Sequence, residues 1–575
     1  MTTLLCDPYL QLPTADGVRV AWATEFEGDG HAVLVGEGVG GLSDAEARDA
    51  ASGSVVPGVR VFTATTTRLS RVFEDHASRI PEDRRPAVED GMVPRAVWRH
   101  EAAVDGLAPG TRHPYRVISM DAATAALSGT FTLASAPRPG DPLRVLLTSD
   151  HQGMPNTPAN LQKAGETLGR VDAVFLAGDL ADQADRASSW FDDEIGSAFF
   201  PALQGRARRA DSQGLVDYRG GEIIQHAPLF PAIGNHDVGG RIEGMTSVPA
   251  SMVAAVPRAI AEAAFDGTGA RAEWIEAHSF STATYEELFT VPADSPGGER
   301  YYAVTFGDIR LVSLFATRVW RRSTADPDPA DRVETSRYQE AAATLHDPLA
   351  QGYGEHIFEP LSVGSAQGEW LRAELASDAF CAARFRVVML HEGPHGLGNN
   401  ILPPFADPVR IEERDAAGAV VGVRYEYPRA DDILLRDLVP LLEASGVDLV
   451  HSGHSHLWNR FRSENGVNYL ETSNTGNTHG AAHELSGRSR RVPPEPWDAS
   501  NYLAQGDPGG LTPILPSVWP FTSPDGIPEP FVQSNDLVVF TVLDTGVGEV
   551  VSYAFDVRTP HVSPWIFDRF PLGRS

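Results

Sequence analysis

The chain has 575 residues, a length that suits two or three domains with ample hydrophobic core. Its composition is ordinary for a globular protein, but the formal net charge of −30 disfavours binding to nucleic acid or to an anionic membrane. The only cysteines, Cys6 and Cys381, exclude a disulfide framework and a cysteine-rich metal site. No apolar run is long enough to span a membrane, and the N-terminal segment lacks the pattern of a secretion signal. We therefore expect a cytoplasmic protein, with export as the open alternative.

Residues 1–136 have the pattern of a small all-β sandwich, without a long helix. The predicted strands, which are short and rich in β-branched residues, are residues 18–24, 32–35, 97–104, 114–119 and 129–133. Trp22 is expected to pack in the core. The polar, charge-rich residues 60–95 predict a long insertion into the sandwich, and residues 137–142 form a Pro- and Gly-rich linker.

Residues 144–182 have the pattern of strand, loop, helix, strand and loop. Apolar runs at residues 144–148 and 173–177 flank a predicted helix at residues 159–168, with Thr157-Pro158 as its N-cap and first residue. Such a βαβ unit makes its two strands parallel neighbours. Asp150 and Asp179 then project from the carboxyl ends of these strands, where α/β sheets build their sites. Two adjacent carboxylates repel each other unless a cation lies between them, and a pair of divalent metal ions would supply that charge.

Three further short apolar stretches each lead into residues that can bind a metal ion. The first precedes Gly234-Asn235-His236-Asp237, the second precedes His391, and the third precedes Gly453-His454-Ser455-His456. Asp, Asn and His side chains suit first-row transition metals. Two histidines that are one residue apart can point to one site from an extended or irregular loop.

The remaining residues, 143–575, alternate strands and helices with late hairpins and contain two insertions, at about residues 239–298 and 318–362. The predicted helices are residues 253–265, 367–375 and 433–444. The predicted strands are residues 301–306, 309–314, 467–471, 537–543 and 550–555, and residues 480–536 are expected to be irregular. This pattern indicates an α/β fold with two sheets flanked by helices.

The blocks SD, GD, GNHD, VxxH and GHxH, in this order, resemble those of the calcineurin-like metallophosphoesterase superfamily, and more particularly its purple-acid-phosphatase-like branch. The segments PYLQLPTADGVRVAWAT and VDGLAPGTRHPYRV resemble the fibronectin-III-like leader domain of that branch. The resemblance implies a two-sheet α-β-β-α sandwich at residues 143–575 after the β-sandwich of residues 1–136. It also implies a hydrolase of small phosphate esters that uses a hydroxide bridging two metal ions, most plausibly a phosphomonoesterase like the acid and alkaline phosphatases.

The resemblance assigns a role to each matching residue. Asp179 bridges both metal ions, and the ions themselves would be Mn, Fe or Zn. The other metal ligands are Asp150 and His456 at the first ion and Asn235, His391 and His454 at the second. Asn235 and His236 contact the substrate, and His236 protonates the leaving group. Asp237 either orients and polarises the His236 imidazole or is a helix N-terminal residue, and we weigh the two equally.

The first block departs from the family pattern. Most members have a histidine ligand where this chain has Gln152, and purple acid phosphatases use a tyrosine where it has Asp182. Three residues could replace the missing ligand: Gln152 through its amide oxygen, Asp182 through its carboxylate, or His151. We favour one of the two oxygen donors. A fourth alternative is that Gln152 only hydrogen-bonds a metal-bound water. Oxygen ligands shift the preference from zinc toward manganese or iron.

Other assignments remain open. His395, four residues after His391, is a candidate for substrate binding or an ordinary loop residue, and Asn474 and His479 are candidates for the pocket wall. A phosphodiesterase on the same site is the alternative enzyme. A weakly active or non-catalytic binding protein is the alternative of a different class, which the Gln152 departure favours. The oligomeric state is not indicated by the sequence.

Overall fold

The structure is a computed structural model, and it describes residues 3–82, 85–87, 91–122, 124–210, 214, 216–333, 336–518 and 521–573. The described part is a mixed α/β protein with several sheets and eleven α-helices. Among these residues, no helix combines the length and the apolarity that a membrane span requires.

Residues near the N-terminus form two antiparallel sheets. The first has, in spatial order, the strands Leu4–Gln11, Val18–Thr24, Trp98–Val104 and Thr65–Arg68. The second has Thr124–Leu127, His113–Asp121, Gly30–Val35 and Arg60–Thr63, and Phe131–Leu133 also pairs with His113–Asp121. Trp22 lies fully buried in the core of these sheets, as expected, and its indole N–H donates to Ser119 Oγ at 2.8 Å. A helix at Asp44–Ala51, capped by Ser43, was not predicted.

The predicted insertion at residues 60–95 begins later than expected. Residues 60–68 supply one edge strand to each sheet, and their polarity reflects the exposed side chains of these strands. The chain then crosses to the second part of the molecule, where the Arg71 guanidinium binds the Asp185 carboxylate at 2.9 Å. Phe73–Glu74 and Val93–Pro94 form a short strand pair, and residues 83, 84 and 88–90 of the predicted insertion lie outside the described residues.

The next sheet contains the predicted βαβ unit. Its six strands are, in spatial order, Leu229–Pro231, Ala173–Leu176, Arg144–Thr148, Leu537–Asp544, Glu549–Asp556 and Trp565–Pro571. Arg144–Thr148 and Ala173–Leu176 are parallel neighbours, and the helix Thr157–Leu168 connects them, so this prediction is confirmed. The helix starts at Thr157, one residue earlier than predicted, with Asn156 at its N-cap position.

A seven-stranded sheet follows. Its spatial order is Tyr302–Phe306, Ile309–Ser313, Phe385–Met389, Leu449–Ser452, Asn468–Thr472, Trp458–Arg462 and Phe531–Val532. One hydrophobic cluster joins residues of both large sheets, for example Leu147 and Phe175 with Leu311 and Val387. The opposite faces pack against helices, including Ala366–Leu375 and Val439–Ser445.

The first of the two long insertions differs from its predicted structure. The helix predicted at residues 253–265 is wrong, because Pro257 separates the helices Val248–Val253 and Arg258–Ala264. The helices Arg271–His278 and Ala283–Leu288 complete that insertion. The second insertion is mostly irregular, and residues 334 and 335 lie outside the described residues.

The remaining elements are shorter. A three-stranded sheet, which was not predicted, consists of Gln339–Glu340, Val420–Glu426 and Val409–Arg414. The helix predicted at residues 433–444 begins with a π-helical turn at Leu434–Leu438. Three more short helices are Ala187–Phe191, Phe199–Leu203 and Asp378–Ala382, and Arg209–Ala210 pairs with Asp217–Tyr218.

Candidate metal centre

The loops at the carboxyl ends of parallel strands in both large sheets meet at one place. From the six-stranded sheet they bring Asp150, Asp179 and Asn235, and from the seven-stranded sheet they bring His391, His454 and His456. Parallel strands end at the same edge of a sheet, which explains the convergence. The six residues that the sequence singled out as metal ligands are therefore close together in space.

One group of donor atoms surrounds Asn235 Oδ1. His391 Nε2 and His454 Nδ1 both lie 3.1 Å from this oxygen, and the two nitrogens are 3.3 Å apart. Asp179 Oδ2 is 3.2 Å from His391 Nε2. The other ring nitrogen of His391, Nδ1, donates to the Ala177 carbonyl at 2.8 Å, which leaves Nε2 to bind a cation.

A second group uses the same aspartate. Ligand atoms of Asp150, Asp179 and His456 lie within 4.8 Å of one another, and so do those of Asp179, His391 and His454. His456 Nε2 is 3.3 Å from Asp150 Oδ1, and both Asp150 oxygens accept the backbone N–H of His454 at 3.0 Å. Asp179 thus belongs to both groups, which is the arrangement expected of a carboxylate between two metal ions.

The donor chemistry fits a pair of transition-metal ions. Carboxylate, amide oxygen and neutral imidazole nitrogen are all acceptors, so without a cation they repel each other in this buried place. In the absence of metal, burial lowers the pKa of His391, but Asp179 outweighs that effect and raises it to about 10. Burial likewise opposes ionisation of Asp179, yet His391 and His236 hold its pKa below the ordinary value. Without a metal ion, the proton on His391 therefore balances the negative charge of Asp179. A bound metal ion would balance the same charge.

The backbone at the site is strained. Of the eight described non-glycine residues with φ in the left-handed region, five lie in the site: Asp150 (55°), Gln152 (40°), Asp179 (55°), His454 (81°) and His456 (53°). Such conformations cost roughly 1–3 kcal/mol each and concentrate at functional sites. The GHSH segment is thus an irregular loop and not an extended one.

Two glycines make the close approach of these loops possible. A Cβ atom on Gly234 would overlap Asp179, and one on Gly453 would overlap Ser149 and Asp150. The glycines of the GN and GH blocks are therefore required by packing.

Gln152 reaches the cluster, as expected for one of the proposed replacements. Its side-chain N–H donates to Asp179 Oδ2, and its buried Oε1 has no hydrogen-bond partner. A half-turn of the amide would exchange the two atoms, so Gln152 can offer either an oxygen donor or an N–H. His151 is directed elsewhere, since its Nε2 is 3.0 Å from Thr148 Oγ1 and burial lowers its pKa to about 4.

The position of the Asp182 carboxylate does not support its predicted role as a metal ligand. Neither donor group contains that side chain. The backbone carbonyl of Asp182 faces the site instead and lies 2.7 Å from His236 Nδ1.

His236 lies beside the cluster. Its backbone N–H donates to Asp179 Oδ1 at 2.8 Å, and the contact with the Asp182 carbonyl fixes its ring through Nδ1. Burial lowers the pKa of His236, but the Asp179 and Asp182 carboxylates outweigh it, and the pKa is raised above the ordinary value. Nε2 remains as the ring nitrogen for a substrate atom.

Of the two predicted roles of Asp237, the structure favours the one in the first turn of a helix. The Asp237 carboxylate accepts three backbone N–H groups, from Asp179 at 2.8 Å, Leu180 at 2.9 Å and Gly234 at 2.8 Å. It thereby joins the GD loop to the GN loop. Burial and the nearby Asp179 carboxylate raise the pKa of Asp237 to about 7. Asp237 ends the single 3-10 turn Asn235–Asp237, and its carboxylate also contributes to the raised pKa of His236.

His395 does not join the cluster, contrary to its prediction as a substrate-binding residue. Its Nδ1 is 2.8 Å from Asp507 Oδ2, and its ring packs against Tyr469 with the centroids 4.4 Å apart. The irregular segment that carries Asp507 covers this histidine, an interaction that no local sequence pattern indicates.

Three neighbours of the cluster complete its wall. The His479 ring stacks on His456 with the centroids 4.5 Å apart, in agreement with its proposed place in the pocket wall. Glu471, which sequence reasoning missed, accepts the backbone N–H of Ser455 at 2.7 Å and fixes the GHSH loop. The sequence could have indicated Glu471, because its carboxylate lies at the end of an apolar strand. Trp320, also missed, lies with its ring centroid 6.5 Å from that of His236.

Comparison of the chain with protein-family models and with curated protein sequences finds no match.

Proposed function

We propose that the protein is a hydrolase of small phosphate esters that depends on two metal ions, of the calcineurin-like metallophosphoesterase type that its motifs resemble. The observation that carries this proposal is that the two groups of buried acceptor atoms share Asp179. Two ions so placed can hold a phosphate dianion in a chain whose net charge is −30.

The fold supports the same proposal. Two large sheets with a common core and helices on their outer faces agree with the α-β-β-α sandwich of that superfamily. The two antiparallel sheets around Trp22 agree with the fibronectin-III-like leader of its purple-acid-phosphatase-like branch.

The residues divide into ligands and groups that act on the substrate. Asp150, Asp179 and His456 would hold one ion, with Gln152 beside it. Asp179 would hold the other together with the second donor group, Asn235, His391 and His454. When bound, a metal pair of this kind supplies Lewis acidity and activates a water molecule.

His236 would be the general acid. The hydrogen bond between its Nδ1 and the Asp182 carbonyl holds the ring beside Asp179. Nε2 can therefore deliver a proton to the ester oxygen that leaves phosphorus, and no covalent phosphoenzyme is needed. Asn235, whose amide lies between His391 and His454, would position the phosphate.

The test is metal content and hydrolysis in parallel. We expect about two ions of Mn, Fe or Zn per chain, and hydrolysis of an aryl phosphate monoester in preference to a bis-aryl diester. Asp179→Asn should lose both metal and activity. Asp172→Asn is the matched control, because Asp172 lies at the opposite end of the same strand and its exposed carboxylate accepts the Arg144 N–H at 2.9 Å.

A preference for the diester would change the proposal to a phosphodiesterase. Fewer than two ions and no turnover with any of the three metals would overturn it and favour a binding protein.

A further inference from the structure

An exposed tryptophan lies at the edge of the candidate metal centre. Trp320 is 44% exposed. Its ring centroid is 6.5 Å from that of His236, and the two ring planes are at 52°. The other exposed large apolar residues in the described part of the chain are all valine, leucine or isoleucine. A single exposed apolar residue is ordinary on a protein surface, but an exposed indole beside His236 offers its ring for stacking at the candidate site.

The backbone on both sides of Trp320 is held firmly. Arg318 is buried and pairs with Glu355 at 3.2 Å and Glu392 at 3.1 Å. Arg321 is buried as well, pairs with Glu340, and lies over the ring of Tyr353. An exposed indole on a fixed segment is already ordered, so a ligand that stacks on it pays little conformational entropy.

The same segment is tied to the metal centre from the other side. Glu392 follows the ligand His391 directly, and its Oε1 accepts the backbone N–H of Arg318 at 2.9 Å and the Thr317 hydroxyl at 3.1 Å. The distance between the indole and the metal ligands is therefore set by the fold.

We propose that Trp320 is the surface on which the leaving group of the substrate stacks, and that the substrates are phosphate esters of phenols. This inference rests on the proposed function. In the reaction, the water oxygen forms a bond to phosphorus, the bond from phosphorus to the phenolic oxygen breaks, and that oxygen takes a proton from His236. One proton of the water stays on the phosphate, and the other replaces the proton that His236 gave up. The phenolic ring must then lie next to His236, where an aromatic pair with Trp320 falls within the usual centroid separation of about 4.5–7 Å.

Equilibrium binding to the metal-loaded protein tests the stacking directly. The probes are benzylphosphonate, which resembles a phenyl ester but cannot be hydrolysed, and ethylphosphonate, which lacks the ring. Trp320→Ala should weaken benzylphosphonate about 3- to 10-fold and change ethylphosphonate by less than about twofold. Trp320→Phe should retain most of the benzylphosphonate affinity. Val333→Ala, at another exposed apolar residue of the same insertion, is the control and should change neither.

Hydrolysis rates with two esters distinguish a failure of this inference from a failure of the proposed function. For each variant, kcat/KM relative to the unmodified protein is measured with phenyl phosphate and with ethyl phosphate, so that the intrinsic reactivity of each ester cancels. A selective loss with phenyl phosphate in Trp320→Ala supports the inference. Equal losses with both esters, or none, would overturn it and leave the hydrolase intact. If the unmodified protein hydrolyses neither ester and binds neither phosphonate, both proposals fall.

Discussion

The substitution Asp237→Asn separates a structural role of this aspartate from a role in proton transfer. Asp237 Oδ2 accepts the N–H groups of Asp179 and Gly234, and Oδ1 accepts that of Leu180. In the better orientation, the asparagine keeps its oxygen at the Oδ2 position and turns its NH2 group toward the Leu180 N–H. One hydrogen bond is lost and the buried Leu180 N–H is left without an acceptor, which costs about 1–3 kcal/mol, while the weakening of the other two is offset by removal of a buried negative charge, the charge whose cost raises the pKa of Asp237 to about 7.

We therefore expect a destabilisation of about 1–3 kcal/mol in the metal-free protein. Because Asp237 supports the loops that carry two ligands, Asp179 and Asn235, we also expect metal affinity to fall about 10- to 100-fold. The assays are the midpoint of thermal unfolding and the competition for metal with a chromophoric chelator.

The control is Asp415→Asn in an exposed hairpin turn. There a single oxygen, Oδ1, accepts the N–H groups of Ala417 at 2.8 Å and Ala419 at 2.9 Å, so asparagine can replace it. Both quantities should stay unchanged in that variant. If Asp237→Asn kept its metal affinity and thermal midpoint but lowered kcat and shifted the pH–rate profile, Asp237 would act on His236 and our reasoning would be wrong.

Two more predictions concern the first metal position and the N-terminal sheets. Gln152→His should raise the affinity for zinc relative to manganese, because it replaces an amide by an imidazole beside Asp179; an unchanged ratio of the two dissociation constants would show that Gln152 is not a ligand. Burial and the neighbouring His31 lower the pKa of His100 to about 3, so the folded protein holds it neutral while the unfolded chain takes up a proton below about pH 6.5. Stability should be complete above that pH and fall by about 2 kcal/mol from this group between pH 7.5 and 5. The drop in the thermal midpoint over this interval should be smaller in His100→Gln, and an equal drop would refute the assignment.

The ends of the buried strands were the most predictable part of the site. Short apolar runs located the strands, and parallel pairing then brought Asp150 to Asp179 and His391 to His454. These relations follow from periodicity and from the geometry of parallel sheets, which are local and general.

The predictions that the structure does not support concern residues whose interactions differ from those that the residue type suggests. Asp182 contacts His236 through its backbone carbonyl oxygen, and the Asp237 carboxylate accepts backbone N–H groups. Neither contact is the metal binding or the imidazole orientation that the sequence motifs suggested. His395 pairs with Asp507, more than a hundred residues later, and only the tertiary structure brings them together.

The insertions were the least predictable part. Trp320 is placed by ion pairs of Arg318 and Arg321 with acids that are distant in sequence, and its segment has no periodicity of its own. The hairpin of Val409–Arg414 and Val420–Glu426 was missed although its alternation of polar and apolar residues was a usable signal.

The left-handed backbone at the candidate metal centre brings two kinds of selection into conflict. Substitutions that improve expression can reduce turnover. Glycine at Asp150 would relieve backbone strain and, in protein without metal, would also remove a buried negative charge near Asp179. The same change would delete a proposed metal ligand. Variants chosen only for yield or heat resistance would thus drift toward glycine at these loops and lose the centre, so a programme that improves this protein has to screen metal retention at every round.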